Sequence, residues 1–368
     1  SGFLRLRTRG VGRLGWARSG EDVVTYKVFQ WASGTVGRHA AAEVLRRPQL
    51  ELVGLHTLTA DKVGRDIGEL LGVPPLGIAA TGRIEAIIAS TADVVIHAPL
   101  ASRVYGDREA QDLDDICTLL AAGKDVVTLV GYLYPKVHGR AVVERLPEAC
   151  RAGGSTFHST GLNPGWMGDL LPLTMSALSR DIERIVIREI SNFQYYPSPE
   201  IMFGSMGFGT TPERFEQDGA RRRRWLNGLF AESIQLIADG LGLVLDDIVE
   251  EMKIAIAPHA LKTAAGIVEA GTVAGQHWQW SGRGAGTPRI IHETVWRMHS
   301  SVAPDWPTGK HSVVIEGSPR MSIELEANWI TDGLLATAMH AVNAIPHVCD
   351  AEPGIKTLLD LPSIRWRA

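Results

Sequence analysis

The periodicity of apolar residues changes near residue 161, and the two periodicities predict two architectures. Between residues 26 and 160, short apolar runs alternate with segments whose apolar residues recur at helical spacing. The predicted strands are residues 26–31, 50–55, 93–97, 125–129 and 155–158, and the first helix covers residues 38–47, before Pro48. Because strands that alternate with helices form parallel sheets with right-handed crossovers, this part is predicted to be an α/β, doubly wound Rossmann domain.

Beyond residue 161 the apolar residues alternate with a period of two, which predicts an antiparallel sheet with one covered face. The predicted strands are residues 184–191, 273–280, 289–298, 312–316 and 321–328. Helices are expected at residues 167–178, 225–241 and 333–343. We therefore predict an arm at residues 1–25, a Rossmann domain at 26–160, an α+β domain at 161–332, and a C-terminal helix and tail at 333–368 that return to the Rossmann domain.

Composition narrows the range of partners. The 368 residues predict two domains, and a formal net charge of −4 does not favour nucleic acid as a partner. No run of about 18 apolar residues is present, so no membrane span is predicted. Three scattered cysteines are typical of reduced thiols in the cytoplasm. Residues 1–25, with five arginines, are predicted to be a flexible arm or, alternatively, an arm that binds anions or RNA.

A glycine loop between the first strand and the first helix predicts a dinucleotide site. The loop fits the pattern G-x-G-x-x-G with alanine at the first glycine. It consists of Ala32, Ser33, Gly34, Thr35, Val36 and Gly37. The second glycine lets the backbone approach a pyrophosphate, and the third lets the helix pack closely on the strand. We therefore expect a nicotinamide dinucleotide to bind here.

The end of the second strand bears on the choice between the two dinucleotides. Enzymes that bind NAD usually carry a carboxylate there for the ribose hydroxyls, but residues 55–59 contain none. His56, Thr57, Lys62 and Arg38 lie nearby in the sequence, so NADP(H) is favoured and NAD(H) is the alternative.

The end of the third strand is also expected to line the cofactor channel, because ligands of this fold bind at the carboxyl edge of the sheet. The residues concerned are Ala98, Pro99 and Leu100. His97, just before them, is a candidate catalytic residue, with a hydrogen-bonded structural histidine as the alternative.

Several stretches resemble the dihydrodipicolinate-reductase-like group that includes 2,4-diaminopentanoate dehydrogenase and the native amine dehydrogenases. They are residues 159–171, Tyr134-Pro135-Lys136, residues 207–215 and residues 343–348, the last extended by residues 353–357 and 360–362. The resemblance implies interconversion of an amine with its ketone or imine and a homodimer whose second domain serves substrate binding and dimerisation. It also implies a nicotinamide ring held near Asn163 and Pro164.

One departure from that group concerns proton transfer. The resemblance assigns amine chemistry to a glutamate after the strand that here ends at Leu129, but residues 130–135 contain no carboxylate. Tyr132 or Tyr134 could instead donate a proton to an alkoxide, which favours reduction of C=O or of preformed C=N bonds. Asp169, Glu200 and Glu189 remain open as substitutes from elsewhere in the chain.

Aromatic and methionine residues near these motifs predict an apolar substrate pocket, although packing in the core is an equal alternative. The candidates are Trp166, Met167, Tyr196, Met202 and Phe203. No arginine clamp is evident, so we expect a small hydrophobic ketone, imine or amine, with ammonia as a possible second substrate. The alternatives are an alcohol dehydrogenase or ketoreductase and a catalytically silent NADP(H)-binding sensor. No metal is expected.

Overall fold

The structure, a computed structural model, describes residues 24–367 of the chain. Its strands are β1 (Tyr26–Trp31), β2 (Leu50–His56), β3 (Val94–His97), β4 (Asp125–Thr128), β5 (Thr156–Ser159), β6 (Arg180–Asn192), β7 (Asp247–Ile256), β8 (Leu261–Lys262), β9 (Ile267–Val268), β10 (Val273–Gly284), β11 (Thr287–Arg297), β12 (His311–Ser318), β13 (Met321–Leu325) and β14 (Gly354–Ile355). Apart from its last two residues, the arm predicted at residues 1–25 lies outside the described residues.

The helices are α1 (Thr35–Val44), α2 (Ile67–Leu71), α3 (Ile84–Ala89), α4 (Ser102–Tyr105), α5 (Gln111–Ala121), α6 (Arg140–Gly153), α7 (Leu171–Ser176), α8 (Pro212–Gln217), α9 (Ala220–Leu241) and α10 (Trp329–Cys349). Single turns of tighter helix cover Ala60–Lys62, Pro135–Val137 and Phe193–Tyr195, and wider turns cover Leu162–Leu170 and Glu200–Ser205. Within residues 24–367, no helix combines the length and the apolar character that a membrane crossing requires.

The first sheet is parallel, with the strand order β14-β5-β4-β3-β1-β2. Its central strands β3 and β4 are buried along their whole length, because α1 and α10 cover one face and α5 and α6 cover the other. This arrangement confirms the predicted doubly wound α/β fold. Helix α1 begins three residues earlier than predicted, since Thr35, Val36 and Gly37 add no apolar repeat from which its start could be recognised.

The second sheet has the order β13-β12-β6-β11-β10-β7 and is mixed rather than purely antiparallel. The prediction was wrong at one pair, because β6 lies parallel to β11. These strands are far apart in the sequence, so no hairpin forces them to run in opposite directions. The alternation pattern also missed β7, an edge strand whose residues are all at least partly exposed.

A wide turn replaces the first four residues of the helix predicted at residues 167–178. Asn163, Pro164 and Gly165 have non-helical backbone angles within the turn Leu162–Leu170, and regular helix begins only at α7. This segment carries the chain from the first sheet to the second. The last residues return, since α10 packs on the first sheet and β14 pairs with β5 at its edge. Both sheets therefore meet around the wide turn and the beginning of α10.

Candidate active site

The glycine loop has the open geometry that a pyrophosphate requires. Ala32 adopts a φ of 80°, a left-handed conformation that glycine would adopt at lower cost. A Cβ on Gly34 would meet no atom within 4 Å, whereas one on Gly37 would lie 2.1 Å from the carbonyl oxygen of Ala32. No side chain caps α1 and its first turn holds no acidic residue, so its first N–H groups remain available for phosphate oxygens. The loop therefore fits a dinucleotide.

Two of the predicted ribose-side residues, Thr57 and Lys62, come together with Ser33 of this loop. The hydroxyls of Ser33 and Thr57 share a hydrogen bond of 3.0 Å, and the Lys62 ammonium lies 3.4 Å from Ser33 Oγ. His56 instead faces inward, with its ring 4.2 Å from that of Trp31, and burial lowers the pKa of this imidazole. The structure thus groups Ser33, Thr57 and Lys62 and places His56 inside the fold.

His97 is fully buried at the end of β3. Its Nδ1 lies 3.0 Å from Thr128 Oγ1, and burial lowers the pKa of the imidazole to about 3. It does not line the cavity described below, which favours the structural alternative for this residue. The following residues leave the sheet edge, where Ala98 and Pro99 are partly buried and Leu100 is 51% exposed.

A cavity of about 320 Å³ lies between the two domains. Asn163 and Pro164 line it, as the resemblance implies for the nicotinamide site. Other lining residues are Leu129, Gly131, Leu133, Ser159, Thr160, Glu189, Phe193, Tyr196, Met206, Trp225, Phe230, Glu232, Trp296, His311 and Trp329. Most of this surface is apolar or aromatic, and no described lysine or arginine contributes to it. Two carboxylates, one imidazole and the phenol of Tyr196 are the ionisable groups of the lining.

Glu189, on β6, lines this cavity, and its hydrogen-bond partners are neutral side chains. Its carboxylate accepts hydrogen bonds from Asn163 Nδ2 at 2.6 Å and from Trp296 Nε1 at 2.7 Å. Among residues 24–367 no lysine, arginine or histidine forms an ion pair with it. Of the three carboxylates considered as substitutes from sequence, it is the one that lines the cavity.

The other two substitutes lie elsewhere. Asp169 is fully buried, accepts the N–H of Gly165 at 2.6 Å, and burial raises the pKa of its carboxyl to about 7. Glu200 is exposed and accepts a hydrogen bond from Ser198. Asp169 therefore stabilises the turn that carries Asn163, and Glu200 is in contact with solvent.

Glu232, on α9, is a carboxylate that sequence reasoning missed. It is 1% exposed and accepts the backbone N–H groups of Tyr132 at 3.0 Å, of Leu133, and of Tyr134 at 3.3 Å, together with His138 Nε2. The positive φ angles of 107° at Gly131 and 66° at Tyr132 turn these N–H groups towards one point. A carboxylate from the second domain thus reaches the loop in which the resemblance places a glutamate.

The two tyrosines of that loop point away from the cavity. The Tyr132 ring lies 4.1 Å from the Arg103 guanidinium, and the Tyr134 hydroxyl donates to Asp239. Burial raises the pKa of both phenols. Neither side chain lines the cavity, so the structure does not bring these two candidate catalytic residues to the site.

Of the five predicted substrate residues, Tyr196 lines the cavity. Met167 and Met202 are fully buried in the core of the second domain, and Trp166 and Phe203 pack against that core. The lining instead takes its large side chains from several elements. They are Phe193, Met206, Trp225, Phe230, Trp296 and Trp329. Core packing, which the sequence left as an equal alternative to a pocket role, therefore holds for Trp166, Met167, Met202 and Phe203.

Known proteins resemble the chain over nearly its whole length. The family model described as the 2,4-diaminopentanoate dehydrogenase C-terminal domain matches residues 166–366, and that of the dihydrodipicolinate reductase N-terminus matches residues 31–106. An amine dehydrogenase of Streptomyces virginiae is 33% identical, covering 90% of this chain and 95% of that protein. A 2,4-diaminopentanoate dehydrogenase of Acetoanaerobium sticklandii is 25% identical, covering 91% and 93%.

The fold comparison agrees with the sequence comparison. The solved structure of an amine dehydrogenase from Mycobacterium smegmatis superposes with a TM-score of 0.77 at 21% identity, covering 93% of this chain and 97% of that one. The resemblance noted at residues 159–171 is therefore confirmed. The chain belongs to the 2,4-diaminopentanoate dehydrogenase and amine dehydrogenase family of NAD(P)-dependent oxidoreductases.

Proposed function

We propose that the protein interconverts small hydrophobic amines and ketones by NADP(H)-dependent reductive amination with ammonia. The observation that carries this proposal is the carboxylate of Glu189, which faces an apolar cavity without a cationic partner among the described residues. A cationic ligand would complement that charge. Ammonium and the iminium ion formed from a ketone are cations of the right kind, whereas a ketone and its alcohol are neutral.

Neighbouring side chains hold Glu189 ready for this role. The N–H groups of Asn163 and Trp296 engage one oxygen each, which leaves acceptor positions on the carboxylate that can face the ligand. In this position Glu189 would take a proton from ammonium and stabilise the iminium charge. Asn163 thereby orients the carboxylate through its amide, in addition to lining the nicotinamide site.

The rest of the lining defines the substrate class. A lining without lysine or arginine offers no partner for a substrate carboxylate, which would also be repelled by Glu189. Aromatic walls formed by Phe193, Tyr196 and Trp296 favour alkyl or aryl groups. A volume of about 320 Å³ suits a small ligand. We therefore propose neutral hydrophobic ketones rather than keto acids.

The dinucleotide would lie across the glycine loop, where bound NADPH supplies a hydride from C4 of its nicotinamide. Ser33, Thr57 and Lys62 offer two hydroxyls and one ammonium where a 2′-phosphate would lie. Residues 55–59 contain no carboxylate to repel such a phosphate. These contacts support NADP(H) as the preferred dinucleotide.

The phenols of Tyr132 and Tyr134, which the sequence offered as proton donors to an alkoxide in plain carbonyl reduction, lie outside the cavity lining. A catalytically silent NADP(H) sensor would not require a carboxylate in an apolar cavity. Both remain as outcomes of the experiment below.

The test follows NADPH oxidation with a panel of hydrophobic ketones, with and without ammonium, in the wild type and in Glu189→Gln. We expect turnover that requires ammonium, and a loss of kcat/KM in Glu189→Gln of about 100-fold or more. NADPH affinity, measured by fluorescence, should stay within about twofold, because Glu189 lies on the substrate side. Glu324→Gln, an exposed change on β13, is the matched control and should behave as wild type.

Two results would count against the proposal. Ketone reduction at the same rate without ammonium would identify a ketoreductase. Tight NADPH binding with no turnover of any ketone or amine would identify the sensor.

A further inference from the structure

The first residue of β12, His311, lies next to Glu189 across the second sheet. Strands β12 and β6 are antiparallel, and their register pairs Ser312 with Arg188 and Val313 with Ile187. The same register places His311 opposite Glu189. Opposed residues of neighbouring strands point to the same face, with their Cβ atoms about 5 Å apart. Both side chains line the cavity.

The imidazole of His311 is 5% exposed and lines the cavity, and within residues 24–367 its ring nitrogens form no hydrogen bond or ion pair. Its ring stacks on Trp329 of α10, with 5.9 Å between the centroids. On the other side β13 offers Leu325, which does not titrate. Glu189 is therefore the ionisable group that acts on this ring from the elements packed around it.

We propose, on the basis of the reductive amination proposed above, that His311 is a second catalytic residue, which protonates the hydroxyl that leaves the carbinolamine as water. Glu189 and His311 form no ion pair with each other, so a ligand atom can lie between them. One group then handles the nitrogen of the carbinolamine and the other handles its oxygen.

The step balances without any further reactant. Glu189 takes one proton from ammonium, and the resulting ammonia attacks the carbonyl carbon. A proton then passes from nitrogen to oxygen, which gives a neutral carbinolamine. The C–O bond breaks as the nitrogen lone pair forms C=N, and His311 gives the leaving oxygen the proton that it receives from the Glu189 carboxyl. In sum, ketone and ammonium become iminium and water.

The electrostatics of the ring suit a transient proton carrier. Burial lowers the pKa of His311, and the negative charge of Glu189 opposes that change. The imidazole is thus a neutral acceptor at rest, and its protonated form is stabilised by the neighbouring carboxylate.

The experiment separates water loss from reduction. It compares wild type and His311→Phe on two substrates, a ketone with ammonium and the preformed cyclic imine 2-methyl-1-pyrroline, which needs no water loss. Phenylalanine keeps an aromatic ring against Trp329 but carries no proton. We expect kcat for the ketone to fall about 100-fold and kcat for the cyclic imine to stay within about threefold.

A structural role of His311 predicts a different pattern. Equal losses on both substrates, or no loss on the ketone, would overturn the proposal. A second measurement does not depend on the cyclic imine: the wild-type pH profile of ketone amination should contain an ionisation that His311→Phe lacks, and identical profiles would also overturn it. Absence of ammonium-dependent turnover in the wild type would instead refute the proposed function itself.

Discussion

Lys62 is a cation beside the glycine loop whose contacts lead to the ribose side of the dinucleotide site. Its ammonium reaches Ser33, which in turn contacts Thr57. Hydrogen bonds to charged groups contribute about 1.5–3 kcal/mol, and every 1.4 kcal/mol corresponds to about tenfold in affinity. We therefore predict that Lys62→Ala raises KM for NADPH about tenfold or more and leaves KM for NADH nearly unchanged. Steady-state kinetics with both dinucleotides measure this.

The control for that prediction is Arg46→Ala, because Arg46 is an exposed cation beyond the end of α1. It should leave both KM values unchanged. Equal increases for NADPH and NADH in Lys62→Ala would mean that the lysine contacts a part common to both dinucleotides.

At this scale, sequence reasoning succeeded where the constraint is local. The roles of Gly34 and Gly37 follow from a turn of six residues, and the structure gives both positions the expected surroundings. Reasoning failed where contacts join distant parts of the chain. Tyr132 and Tyr134 were predicted as proton donors because they follow β4. The positive φ of Tyr132 instead turns the backbone N–H groups of the loop, rather than the phenols, towards Glu232.

Helix α9 is the element that ties the second domain to the loop after β4. Its Arg221 donates hydrogen bonds to the backbone carbonyls of Ser102, Arg103 and Gly106, and its Glu232 binds the N–H groups of residues 132–134. Glu232 lies about 100 residues from that loop, and nothing in the local sequence pattern links the two. Such contacts cannot be predicted from hydrophobic periodicity, because periodicity shows which face of an element is buried but not which residues that face contacts.

We predict that Glu232→Gln lowers the free energy of unfolding by about 2–5 kcal/mol. The amide offers one acceptor oxygen in place of two, and its NH₂ group would face the N–H groups of the loop. Urea unfolding of both proteins measures the difference. Glu213→Gln, an exposed change on α8, serves as the control and should shift stability by less than about 0.5 kcal/mol.

A change of stability in Glu232→Gln no larger than that of the control would show that the loop keeps its shape without the carboxylate. Because Gly131 and Leu133 line the cavity, we also expect the variant to lose kcat/KM for the ketone.

At the scale of the whole molecule, the two sheets and the position of the cleft could be predicted from sequence. The change in apolar periodicity near residue 161 indicated the sheets, and the family motifs indicated the cleft. The parallel pairing of β6 with β11 could not be predicted, because alternation fixes which face is buried but not the direction of a neighbour. Glu189 and His311 meet through the register of β6 with β12, which the sequence does not reveal. The homodimer that the resemblance implies stays a prediction.

Four buried histidines spread over both domains make the fold sensitive to acid. Burial lowers the pKa of His97 and His292 to about 3 and that of His158 and His340 to about 4. Between these values and about 6.5, the unfolded chain binds protons that the folded chain does not. Their contribution to stability is complete above about pH 6.5 and is lost as the pH falls, down to about 4 for His158 and His340 and to about 3 for His97 and His292.

Asp169 acts in the opposite direction, since burial raises its pKa to about 7 and the folded chain then holds a proton that the unfolded chain releases. With four histidines against one carboxyl, unfolding near pH 5 should take up protons, and each net proton corresponds to about 1.4 kcal/mol per pH unit. We therefore predict that stability measured by urea unfolding falls steeply from pH 6 to pH 5. In Asp169→Asn the opposing release is gone, so the fall should be steeper by about 1.4 kcal/mol per pH unit. A free energy of unfolding that is flat between pH 6 and pH 5 in the wild type would mean that these imidazoles become protonated within the folded state.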